Sequence, residues 1–177
     1  MKMLKKLLAV VLTGAMALTL LTACGSNAVR DKDIADALNN IVKLNDSEVT
    51  FTPRAKEREM AQKLAALLES HSEDDSNSAE LSAKIQGILG IDQGGVNENN
   101  FVWVQNALTD KLGAEGQAFQ VMESLTDKGG AYNFSSLGNK EPADTRYMGT
   151  ALCKIPDQKD NLVTVRVIVV TAKAEDE

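Results

Sequence analysis

Between residues 31 and 44 the apolar side chains are Ile34, Ala37, Leu38, Ile41 and Val42, spaced to share one side of a 3.6-residue helix. A turn or short extended piece is expected over 45–51. Thr52 then has the character of an N-cap with Pro53 at the first helical position, and Met60, Ala61, Leu64, Ala65, Leu67 and Leu68 form the stripe of a second helix ending near Ser70-His71. The polar stretch 72–78 reads as a loop. A short third helix opens on the capping box Asn77-x-x-Glu80, aligns Leu81, Ile85, Ile88 and Leu89, and stops at Gly90. After a turn at Gly94-Gly95, Phe101, Val102, Trp103 and Val104 predict a strand, introduced by the polar run Asn97-Glu98-Asn99-Asn100. Ala118, Val121, Met122 and Leu125 place a helix over 114–125, closed by Gly129-Gly130.

The composition turns to Gly, Ser, Asn and Pro over 126–146, which predicts a long loop. Strands are expected over 147–155 and 162–172, joined by a polar turn. The last strand is apolar on nearly every residue, with Val163, Val165, Val167 and Val169 on one face and Leu162, Ile168 and Val170 on the other. A strand apolar on both faces needs cover on both. Early helices and a late hairpin therefore give an α+β domain with a largely antiparallel sheet between helical layers. No linker divides residues 34–173, and 174–177 read as an acidic tail.

The first two dozen residues follow a different pattern. Lys2, Lys5 and Lys6 precede an apolar run over 7–21, which ends in Leu21-Thr22-Ala23-Cys24. That is the layout of a secretory signal over 1–23, and its ending resembles the bacterial lipobox, in which the cysteine is acylated and becomes the first mature residue. The run is shorter than the ~20 residues a spanning helix needs. The chain has 177 residues, with 19 Lys and Arg against 25 Asp and Glu. Cleavage before Cys24 removes three lysines and no acid, which leaves 154 residues at a net charge near −9. So acidic a body is poorly suited to nucleic acid, and it will not hold anionic headgroups by charge alone. Membrane attachment is therefore expected through acylated Cys24, with residues 24–33 as lipidated N-terminus and tether. The expected location is extracytoplasmic, on a membrane face. Cys153 is left as a lone thiol in a strand and reads as a small core residue.

Chemical motifs are sparse: there is no Gly-rich phosphate loop, paired-cysteine zinc site or G-x-S-x-G elbow, and His71 is the single histidine. A resemblance extends over nearly all of the mature chain. The run from Ala61 to Ser70-His71 resembles the second helix of the CAP superfamily, the sperm-coating-protein-like domain, which ends in a Ser-His pair. Glu98-Asn99 is similar to that family's Glu-Asn-Ile segment. Val121 to Asp127 is similar to its Trp-x-x-Ser-x-x-His segment, and Tyr147-Met148-Gly149-Thr150-Ala151 to its Ile-Gly-Val-Gly strand. Asp127 stands where the family has its second histidine, and Val121 where it has tryptophan.

The resemblance implies a three-layer α-β-α sandwich and a cleft lined by His71, Glu98 and Asp127. In the family such a cleft holds a divalent metal on two histidines and acids. Here one histidine and two carboxylates form a candidate metal set that is oxygen-rich and less selective for zinc. The leading expectation is a non-enzymatic, cofactor-free module binding a protein, lipid or small molecule. Two alternatives are a hydrolase with His71 as base or metal ligand and Glu98 as acid, and an accessory lipoprotein subunit of an envelope or transport complex. Trp103 reads as core between helical layers. Tyr132 and Phe134, in the Gly-rich loop, are candidates for the rim of a binding surface.

Overall fold

The structure, a computed structural model, describes residues 29–70, 78–91, 100–125, 137, 139–157 and 160–176. Helix α1 (Asp31–Lys43) leads into a short strand β1 (Thr50–Pro53) and helices α2 (Ala55–Ser70) and α3 (Ser78–Leu89). Strand β2 (Asn100–Thr109), helix α4 (Ala114–Leu125) and the hairpin of β3 (Glu141–Pro156) and β4 (Leu162–Glu175) complete the chain order. The four strands lie in the order β1-β3-β4-β2. The pairings of β4 with β3 and β2 are antiparallel, and β1 runs parallel to β3.

Alternation along β4 separates two cores. Val165, Val167 and Val169 pack with Ala61, Leu64 and Ala65 of α2 and Leu89 of α3. Ile168, Val170 and Ala172 face the other way, against Ile34 and Leu38 of α1 and Ala118 and Val121 of α4. The molecule is thus an α+β domain in three layers around a mainly antiparallel sheet. Trp103 and Phe101 are buried and their rings stack, with centroids 5.6 Å apart. Cys153 is buried and unpaired, and burial pushes its thiol pKa up. Helix α3 ends as expected at Gly90, whose φ of +71° is a left-handed conformation suited to glycine.

Several boundaries differ from the sequence reading. Thr52 and Pro53 belong to β1 rather than to a helix cap, because Phe51, Thr52 and Pro53 stand in register with Arg146, Tyr147 and Met148. Proline has no N–H to give, and here it ends an edge strand, where that costs least. The next amide, Arg54 N, donates to Met148 O at 2.9 Å, and Arg54 O accepts from Arg58 N at 3.1 Å. Arg54 therefore precedes the helix. Strand β2 extends to Thr109 through an irregularity between Gln105 and Leu108. Strand β3 begins at Glu141, inside the stretch expected to be loop, because β1 and β4 both pair with it there. Helix α1 begins at Asp31 as expected, and β4 runs to Glu175, past the expected end at 172. Leu162 is 71% exposed rather than covered, since it lies at the hairpin turn beyond the packed helices.

Gly149 fixes how α2 meets the sheet. A Cβ at this position would lie 2.0 Å from Arg58 N and 2.3 Å from Glu57 C. The first turn of α2 therefore rests backbone against backbone on β3, and only glycine leaves the room.

Candidate functional site

Cys24, His71, Glu98, Asp127, Tyr132 and Phe134 lie outside the described residues. Ser70, which precedes His71, borders an open groove of about 510 Å³ between α2 and α3, lined also by Lys63, Leu67, Lys84 and Ile88. Its hydroxyl donates back to Leu67 O at 3.0 Å. Among the described residues no His, Cys, Asp or Glu cluster has the spacing to hold a metal ion.

The charged architecture that is described gathers at the opposite end of α2, about 24 Å away at 1.5 Å per residue. Glu57 sits in the first turn of α2 and is wholly buried. Arg54 Nε donates to its Oε2 at 2.6 Å and Arg54 Nη2 donates to its Oε1, while Thr171 of β4 donates its hydroxyl to Oε1 at 2.8 Å. Burial pushes the Glu57 carboxyl up, but the bonds from Arg54 and Thr171 and the Arg54 charge outweigh it, so its pKa lies below the ordinary value. The pair is ionised, and Arg54 is held in one orientation.

That orientation places the Arg54 guanidinium 3.8 Å above the centre of the Tyr147 ring, a cation–π contact. Nε and Nη2 are committed to Glu57, whereas Nη1 has no partner among the described residues. The Arg54 side chain is 38% exposed and borders a cleft of about 480 Å³ at the open end of the sheet. Lys56, Asn100, Thr145, Lys173, Asp144 and Glu175 complete its charged and polar lining. Arg54, just before α2, and Lys56, in its first turn, both border this space. The cleft thus presents cations on the α2 side, with Asp144 and Glu175 among its other walls.

No protein-family model matches the chain, and no curated protein matches it. Among solved structures it is similar to the CAP domain of Enterococcal PrgA, with 16% identity and a TM-score of 0.37. The match covers 82% of this chain and 62% of that one. The relationship is a distant structural one.

A second polar network lies on the other side of the sheet. Asp31, the first residue of α1, accepts from Arg58 Nε at 2.7 Å and from the Thr150 hydroxyl at 2.6 Å. Thr150 in turn accepts from Arg166 Nη1 at 2.8 Å, and Arg166 Nη2 donates to Val29 O at 2.8 Å. Burial lowers the Arg166 pKa, with Asp31 and Asp110 partly offsetting it. The network holds the start of α1 to the centre of the hairpin. Arg146, also partly buried, lies 5.3 Å from the Trp103 ring centre and 5.9 Å from that of Phe51.

None of these charged residues was reached from sequence motifs, although two carried a signal. Glu57 stands one turn before Ala61 on the apolar stripe of α2, and Arg166 interrupts the apolar run from Val165 to Val170. A charge on a buried face implies a partner. Arg54 carried none, because its meeting with Tyr147 depends on the pairing of β1 with β3.

Proposed function

We propose that the chain is a lipid-anchored extracytoplasmic protein whose CAP-like domain is a non-enzymatic binding module, with the cleft at the start of α2 as its ligand site. Anchoring is supported by the lysine-led apolar run and the lipobox-like Leu21-Thr22-Ala23-Cys24. The CAP-like reading is supported by the ordered motifs from Ala61 to Ala151 and by the three-layer arrangement around Gly149. One observation carries the binding role: Arg54 is held by a buried carboxylate and an aromatic face, while its side chain, 38% exposed, borders a cleft. Guanidinium fixed in this way recognises carboxylate or phosphate with little ordering cost. Asp144 and Glu175 favour a ligand that also carries donors, such as a peptide with a free carboxylate, over a bare anion.

Lys56 and Lys173 border this cleft and are exposed, so they can be altered without disturbing the core. Short peptides with a free C-terminus, C-terminally amidated peptides and inorganic phosphate serve as calorimetric probes. The free-carboxylate peptides are expected to bind, and Lys56→Glu/Lys173→Glu to weaken them about tenfold or more, while amidated peptides bind poorly to both proteins. Equal binding of free and amidated peptides, or no effect of the double substitution, contradicts this assignment.

A further inference from the structure

We infer that the hairpin end of the domain, with Leu152, Pro156 and Leu162, rests on the lipid surface that carries the anchor. The inference builds on acylation of Cys24 proposed above and adds an orientation to it. It starts from where the tether meets the fold. Val29 is held by Arg166 through its carbonyl, and Asp31 by Thr150 and Arg58. From Cys24 to Val29 the chain spans at most about 17 Å when fully extended. The bilayer therefore lies close to the place where Arg166 meets Val29.

Leu152 stands directly opposite Arg166 across the hairpin, and Pro156 opposite Leu162. By strand alternation all of these residues point to the α1 side of the sheet, the side on which the tether arrives. Helix α1 does not cover them: it begins at Thr150 and leads away from the turn, reaching Phe51 where Asn39 bonds its backbone N and O at 2.7 and 2.9 Å. Leu162 is 71% exposed, Leu152 46%, and Pro156 is exposed as well. Lys154, between Leu152 and Pro156, is an exposed cation on the same face, and its stem and ammonium suit a boundary between acyl chains and headgroups. The third exposed large apolar residue among those described, Leu44, lies beyond the far end of α1, about 20 Å from Asp31. Docking on the hairpin end turns the cleft outward, since Lys173 is about 23 Å along β4 from Arg166.

The test uses the full-length, acylated protein with Cys153→Ala, reconstituted in phosphatidylethanolamine and phosphatidylglycerol vesicles containing nitroxide-labelled lipid. An environment-sensitive fluorophore is attached at Leu162→Cys or at Leu44→Cys. Quenching at position 162 is expected to exceed that at position 44 by about threefold or more, and adding Leu152→Asp is expected to reduce it. Equal quenching at both positions, or none at 162, in protein whose Cys24 is shown by mass spectrometry to carry lipid, overturns the orientation and leaves the anchor standing. Unacylated Cys24 overturns the anchor and the orientation together.

Discussion

At Gly149 the backbone of α2 approaches so closely that a methyl group would have to displace main chain, not side chain. Gly149→Ala is therefore expected to lower stability by about 3 kcal/mol or to prevent folding, measured by urea denaturation. Glu57 makes a different demand on the same turn. Replacing it with Gln removes the buried counter-charge of Arg54 at a cost of about 2 kcal/mol, moderated because Arg54 is partly in water. The pH dependence follows from the lowered pKa of Glu57. A carboxylate below its ordinary value of 4.5 contributes stability fully above that pH and loses it as the pH falls through the folded value. The wild type and Glu57→Gln should accordingly differ most near neutrality and converge as the pH drops below about 4.5; a constant difference down to pH 3 would contradict the ionised pair. Gly149 falls in a segment marked by resemblance, which gives no sign of the helix backbone against it, while Glu57 is signalled by its position on an apolar stripe. Arg54 is not, because a polar residue between a proline and a helix gives no sign of the aromatic ring beneath it.

Helices were legible and short or late-pairing strands less so. The α4 boundaries of Ala114 and Leu125 follow from a 3.6-residue period that local sequence contains in full. β1 has four residues and pairs in parallel with residues nearly a hundred positions later, a partnership that no local pattern announces. Pairing with β4, and with β1 at Thr145 and Arg146, converts Glu141 to Arg146 from apparent loop into strand. Thr150 ties α1 to the hairpin, donating to Asp31 while accepting from Arg166. Thr150→Val removes both bonds and keeps the shape, leaving two buried charged groups each short of a partner. A loss of about 2 kcal/mol is expected, with amide exchange in α1 accelerated more than in α2. Uniform acceleration across both helices would mean that the network does not specifically secure α1.

The whole molecule was readable as a class: two-sided burial of β4 required helical layers on both faces, and the two separate cores meet that requirement. The proposed site was not readable in the same way. The motif resemblance lies at the end of α2 that precedes His71, whereas the described charges converge at its start. They arise from chain crossings, so the relevant residues are scattered between Arg54 and Glu175 and share no spacing. With the acylation proposed for Cys24, this arrangement would hold the domain against a membrane with the charged cleft turned away from it. The central claim is the anchored state, and the most direct measurement is the intact mass of the N-terminal peptide from membrane-purified protein. The account predicts a mature chain beginning at Cys24 with acyl groups attached, and release of Cys24→Ala from the membrane fraction. A peptide that retains Met1, or one that begins at Cys24 without lipid while the protein stays in the membrane, would contradict it.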